Sequence, residues 1–391
     1  MADEELIVQA LLQELSQTRY ACSDLTKLNG GTANFLYCGN LFQPLDPQDG
    51  ATEPAAKTVV VKHSEGFSPG NRDFLLDVTR CTFEESMLNG LANFSCTPDA
   101  ANTVVRSPRL YLFDRKTNTQ ILEDCFNTTD LKTIFTSPTV KDVLPDISPA
   151  SVGHDIGCWL RSFHEWTSEP AQAPLRETIG RNTEGRKLKR KITYDSFVRI
   201  LETYPELVEG NVEQLKRIQE AMAAEFELDQ PPKGDDGSWG LIHGDFWTGN
   251  VLLPNAKWQE RHHPGKEPNR LFVIDWELAQ FGHRAIDVGG MLADLYERKN
   301  FKDSNAVVPA MEGFANGYGQ ISDEMAFRTA IHAGVHLICW HIRRNPTVPF
   351  SDPMEKVLSA LALGRDFVLK GWEKDRGWFE NSVLAPLFAA H

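Results

Sequence analysis

His243-Gly244-Asp245-Phe246-Trp247-Thr248-Gly249-Asn250, followed downstream by Ile274-Asp275-Trp276-Glu277, is the most informative part of the chain. The first stretch sits between two short apolar runs, Gly240-Leu241-Ile242 and Asn250 to Leu253. The second closes a third run, Leu271-Phe272-Val273-Ile274-Asp275. Apolar runs this short, bounded by turn-forming residues, read as buried strands. If the second and third runs pair as a hairpin, Asn250 at the start of one and Asp275 at the end of the other share an edge. Asp245 then faces both across the loop. Two carboxylates and an amide oxygen at one edge suit a hard, oxygen-seeking cation such as Mg2+, which completes its shell with phosphate oxygens and water. A carboxylate not consumed by the metal can accept a proton from a hydroxyl. Asp, Asn and Gly are also common turn formers, so either motif alone would read equally well as loop punctuation. Their joint presence on flanking strands points to chemistry.

Upstream, Thr58-Val59-Val60-Val61-Lys62 is a β-branched, apolar run that ends in a lysine, as a buried strand with a functional terminus would. Before it, Leu25 to Tyr37 encloses Asn29-Gly30-Gly31-Thr32-Ala33-Asn34, which reads as a strand-turn-strand hairpin with a tight glycine turn. After it, the spacing predicts a helix from about Phe74 to Leu91 carrying Glu84 and Glu85, then a hairpin formed by Val104–Phe113 and Gln120–Leu122. Residues 5–17 predict a leading helix. Beyond Glu123 the character changes: residues 130–228 read mostly as helices, and from Ile286 the pattern is helical almost to the end. A sheet-rich first third and a helix-rich remainder define an α+β protein of two lobes. The expected boundaries are 1–123 for the N-lobe and 124–391 for the C-lobe.

Composition narrows the function classes. A chain of 391 residues with 41% hydrophobic and 24% charged residues can bury a large core without staples. The net charge of −14 argues against a general nucleic-acid binder, which needs a positive surface. The sequence shows no apolar run long enough to span a membrane and no signal-peptide pattern at its start. Its seven cysteines are scattered, without a C-x-x-C pair, which suits free thiols in the cytoplasm and argues against a zinc site. One basic run, Arg186-Lys187-Leu188-Lys189-Arg190-Lys191, reads as a solvated loop or helix face. A targeting or anion-binding patch is the alternative. Oligomeric state is left open.

The His-Gly-Asp…Asn and Asp-Trp-Glu motifs, with Gly282-His283-Arg284-Ala285-Ile286-Asp287-Val288-Gly289 further on, resemble the signature of the aminoglycoside phosphotransferase and choline kinase superfamily. The wording of the motifs is most similar to its methylthioribose kinase-like branch. The resemblance implies a bilobal protein-kinase-like fold and transfer of the γ-phosphate of Mg-ATP to a hydroxyl of a small molecule. It implies that Asp245 accepts or orients the proton of the attacking hydroxyl, and that Asn250 and Asp275 hold Mg2+ on the phosphates. Lys62 would reach the α- and β-phosphates, paired with Glu84 in preference to Glu85. Gly30 and Gly31 would let the turn approach the phosphates, although no G-x-G-x-x-G is present. Glu123 and Asp124 mark the segment whose backbone would meet adenine. Trp276, Glu277, Arg343 and Arg344 are candidates for acceptor binding, the last two beside a helical stripe of His332, His336 and Trp340. Asp287 and His243 are expected to support the loop, and His164 to be structural. Two alternatives remain at this level: a non-catalytic nucleotide-binding protein, and a kinase of an amine-bearing acceptor such as choline or a fructosamine. A protein kinase fits poorly, because H-R-D, D-F-G and A-P-E segments are missing.

Overall fold

A computed structural model describes residues 2–28, 32–46, 55–92, 94, 103–137, 147–259, 268–339 and 352–389. Gly30, Gly31, Arg343 and Arg344 lie outside the described residues. The chain divides into two compact units, one comprising Met1–Asn93 and Ser107–Asn127, the other Phe94–Arg106 and Thr128–His391.

Among the described residues of the first unit, strands β1 (Cys22–Lys27), β2 (Phe35–Leu45) and β3 (Ala56–His63) precede a small hairpin, β4 (Phe67–Ser68) and β5 (Asn71–Leu75). The sixth strand, β6 (Thr103–Arg106), belongs to the other unit, and β7 (Leu110–Asp114) and β8 (Thr119–Glu123) return to the first. The main sheet is antiparallel with order β1-β2-β3-β8-β7, so β3 is central. Its side chains alternate. Val59 and Val61 are buried with Leu11 and Leu15 of the leading helix Ala2–Leu15 in one core. Lys62 therefore points to the opposite face, where the helix Arg80–Leu91 lies. That helix starts later than its sequence pattern suggests. Asn71–Leu75 pairs as a strand with Phe67–Ser68, and Asp77 takes the Thr79 N–H at 2.7 Å, ordering the approach to Arg80.

The second unit carries the strands of the diagnostic motifs. Here β9 (Thr128–Asp130), β10 (Trp239–Ile242), β11 (Val251–Pro254), β12 (Asn269–Val273) and β13 (Gln280–His283) form two small sheets, β6-β12-β11-β9 and β10-β13. The hairpin register Val251↔Val273 and Leu252↔Phe272 brings Asn250 and Asp275 to one edge. The Ile274 N–H donates to the Asn250 carbonyl at 3.0 Å. Phe94 and Thr103–Arg106, placed by sequence in the N-lobe, belong to this unit instead. Phe94 meets Trp159, Phe163 and Trp166 of the helix Pro149–Trp166, and β6 runs parallel to β12. A further core joins the helices Tyr194–Glu202, Val212–Ala224, Asp323–Cys339 and Met354–Glu373. Among the described residues, no helix is long and apolar enough to cross a membrane.

Candidate active site

In the first unit, Lys62 and Glu84 form an ion pair in which Nζ lies 2.9 Å from Oε1 and 2.8 Å from Oε2. Both side chains are buried. A buried ammonium carries a desolvation cost of several kcal/mol unless a well-placed carboxylate meets it, and Glu84 supplies that partner. Glu85, one residue on, turns outward and pairs with Arg115. One turn earlier on the Glu84 face, buried Arg80 donates from Nη2 to the Ala33 carbonyl at 3.1 Å and to Asn34 Oδ1 at 3.0 Å. Ser64 donates to the same Asn34 oxygen at 2.6 Å. Arg80 thus ties the start of β2 to the helix that carries Glu84. Glu123 accepts the Arg109 N–H at 3.0 Å through its side chain. Asp124 lies beside Cys38, whose thiol is pushed up to about 11 by burial and by that carboxylate.

In the second unit the loop after β10 is held from below. Gly244 has φ +80, and a Cβ there would lie 2.2 Å from the Leu278 carbonyl, so this position requires glycine. Asp287, buried in the helix Ala285–Lys302, accepts the His243 N–H at 2.8 Å and the Gly244 N–H at 2.9 Å. Burial alone would raise its carboxyl. The hydrogen bond from His164 and the neighbouring His243 outweigh that effect and hold it below the ordinary range. Burial holds His164 below its ordinary value and raises Tyr318. The neutral chain of donors therefore runs Tyr318 O–H to His164 Nδ1 (2.9 Å) and His164 Nε2–H to Asp287 Oδ2 (3.1 Å). His243 is fixed in the same way. Nε2 donates to the Ile274 carbonyl at 2.9 Å, which leaves Nδ1 to accept the Asp245 N–H at 3.2 Å.

These contacts present the Asp245 carboxylate, 33% exposed, with both oxygens held. Oδ2 accepts from Trp247 Nε1 at 3.2 Å and Asn250 Nδ2 at 3.3 Å, and Oδ1 lies 3.3 Å from Lys189 Nζ. Asn250 also donates from Nδ2 to the Asp245 carbonyl at 2.9 Å, so its remaining ligand atom is Oδ1. Asp275 adopts the left-handed region, φ 65 and ψ 62, immediately after the hairpin edge. A non-glycine residue there costs on the order of 1 kcal/mol, a strain that the flanking strand pair sustains. An amide oxygen and a carboxylate at one strand edge fit a divalent, oxygen-preferring cation.

Trp276, a candidate for acceptor binding, has its ring wholly buried against His243 (4.4 Å between centroids) and Phe163 (5.1 Å). It packs under the loop because an indole has far more apolar surface than polar edge to satisfy. Glu277 is also buried. Sequence reasoning missed Trp247, Lys189, Tyr318 and the anchoring role of Arg80. Trp247 lies inside the diagnostic motif, and the i, i+4 spacing of Arg80 and Glu84 placed both on one helical face. Lys189 was concealed in the basic run, and no local signal marked Tyr318.

The fold and this site define a kinase-like phosphotransferase. The sequence model described as "Phosphotransferase enzyme family" matches residues 160–327. A relative named phosphotransferase FrzJ, from Cladobotryum sp, is 31% identical over 396 residues, spanning 99% of this chain and 97% of its own length. A 4-hydroxytryptamine kinase from Psilocybe cubensis is 22% identical over 327 residues, covering 81% of this chain and 80% of that protein. A solved choline kinase from Cryptosporidium parvum shares the fold at TM-score 0.51 and 11% identity, covering 97% of this chain and 98% of its own. The chain belongs to the phosphotransferase enzyme family, and it is a small-molecule kinase. Membership implies ATP as phosphate donor together with a divalent metal.

Proposed function

We propose that Asp245 accepts the proton of a small-molecule hydroxyl as its oxygen attacks the γ-phosphorus of Mg-ATP. The new bond joins that oxygen to phosphorus. The bond from phosphorus to the β–γ bridging oxygen breaks, and ADP leaves with that electron pair. The observation that carries this reading is the fixed Asp245 carboxylate, held on Oδ2 by Trp247 and Asn250 and open enough to reach a substrate. Catalysis of this kind rests on positioning and charge neutralisation.

Asn250 Oδ1 and Asp275 are the groups we assign to Mg2+, which when bound neutralises charge on the phosphates. Lys62, kept in place by Glu84, is assigned to the α- and β-phosphates. The backbone around Glu123 and Asp124 is assigned to adenine. Glu277 is assigned to the acceptor. A ring-hydroxylated arylalkylamine is the first acceptor class to test, because a relative of this chain is named a 4-hydroxytryptamine kinase and a chain of net charge −14 attracts a cationic substrate. The free cysteines among the described residues suit a cytoplasmic enzyme.

The test is transfer of γ-labelled phosphate from Mg-ATP into 4-hydroxytryptamine, amino alcohols, sugars and aminoglycosides, supplied as separate pools, by wild type and Asp245→Ala. Label is expected in one pool with the wild type only. Equal labelling by both proteins would overturn the role of Asp245. No labelling, with no thermal stabilisation by Mg-ATP, would overturn the kinase reading.

A further inference from the structure

The basic run Arg186–Lys191 does not form one solvated face. It lies in the helix Thr183–Ile192, which sorts its charges by side. Lys187 pairs with Glu184, and Arg190 with Asp195 and Glu227, on the outer side. Arg186 and Lys189, three residues apart and so on one face, turn inward and are buried. Arg186 has a structural task there, donating to the Leu228 carbonyl at 2.6 Å and to Asp229 at 2.7 Å. Lys189 does something else. Its side chain is only 9% exposed, and its Nζ lies 3.3 Å from Oδ1 of Asp245.

We propose that Lys189 is a catalytic residue that binds the phosphoryl group in transit and at the same time holds Asp245. The inference rests on the assignment of Asp245 as proton acceptor and adds to it. An ammonium has three donors, and one directed to Asp245 leaves two for phosphoryl oxygens. The attacking oxygen must approach both Asp245 and the phosphorus within about 3–3.5 Å. A cation 3.3 Å from Asp245 therefore stands beside the oxygens on which transfer spreads negative charge. The loop itself supplies no such cation, since His243 to Asn250 contains no lysine or arginine. Burial also matters: a fixed charge in a water-poor site interacts more strongly than one in bulk water. A lysine serving only as a surface counter-ion would not need to be buried at a desolvation cost.

The experiment compares wild type, Lys189→Met and Lys189→Arg by thermal midpoint in buffer, in Mg-ADP, and in Mg-ADP with aluminium fluoride, which mimics the phosphoryl group in transit. Mg-ATP turnover is measured in parallel. In the wild type, aluminium fluoride is expected to raise the midpoint beyond that in Mg-ADP alone. Lys189→Met should keep the Mg-ADP shift, lose the aluminium fluoride increment, and lower kcat on the order of 100-fold with the KM for ATP nearly unchanged. Lys189→Arg should recover part of both. A Lys189→Met protein that retains the increment and its kcat would overturn the proposal. So would one that loses the Mg-ADP shift together with its midpoint in buffer, since that marks a purely structural lysine. A wild type with neither increment nor turnover would sink the kinase reading and this inference with it.

Discussion

The carboxylate of Asp287 carries the backbone of Gly244: its Oδ1 accepts the Gly244 N–H at 2.9 Å, one residue before Asp245. Its other oxygen takes the His243 N–H and the His164 Nε2–H. Asp287→Ala would strand these buried donors, each at about 1–3 kcal/mol. The expected loss is about 3–5 kcal/mol of stability, with transfer falling at least tenfold because the loop loses its anchor. Urea denaturation and label transfer read both quantities. A variant within 1 kcal/mol of wild type would show that the loop does not depend on this carboxylate.

Three buried histidines set an acid limit on stability. His164, His283 and His332 are each held below the ordinary histidine value, chiefly by burial, His283 to about 3. Folded, they take a proton less readily than the unfolded chain, which takes one below about pH 6.5. Stability from this source is complete above that pH and declines as pH falls toward the folded-state value. For His283, held to about 3, the decline amounts to about 2 kcal/mol between pH 7 and pH 5, and His164 and His332 add losses of the same sign. Asp287, held below the carboxylate range, adds its own loss only under about pH 4. Urea denaturation at pH 7, 6 and 5 should show a steady fall, and a flat profile over that range would contradict it.

Glu84 and Glu85 are neighbours with opposite fates, which makes them a paired test. Glu84→Gln leaves Lys62 buried without its carboxylate, a change of about 3–5 kcal/mol. It should weaken Mg-ATP binding. Glu85→Gln removes an ion pair whose arginine is 63% exposed, and should change stability by less than about 0.5 kcal/mol. Thermal midpoints with and without Mg-ATP distinguish the two. Equal effects would mean that Lys62 is held by something other than Glu84.

Much of this architecture was legible in the sequence where signals are local. The β-branched run ending in Lys62, and the apolar runs around His243–Asn250 and before Asp275, declared their strands because burial on two faces demands such residues. The shared edge of Asn250 and Asp275 followed from the same runs. What escaped was non-local. Thr103–Arg106 resembled the start of the next hairpin, and nothing near it shows that its partner is Asn269–Val273, more than 160 residues on. Gln280–His283 is short and carries one large apolar side chain, Phe281, so its pairing with Trp239–Ile242 left no periodic trace. Lys189 read as solvated because its burial is decided by Asp245, which a helical pattern cannot display.

Gly249 and Trp247 form the last test, because the glycine makes room for the indole. A Cβ on Gly249 would lie 2.4 Å from the Trp247 ring, so Gly249→Ala must displace the indole whose Nε1–H reaches Asp245 Oδ2. Trp247→Phe removes the same hydrogen bond by a different route. A hydrogen bond to a charged group contributes about 1.5–3 kcal/mol, so each substitution should lower kcat roughly tenfold or more. Because both act through one contact, the double variant should be little worse than either single variant, giving a coupling of more than about 1 kcal/mol in a double-mutant cycle. Simple additivity of the two losses would mean that Gly249 serves the loop backbone independently of Trp247.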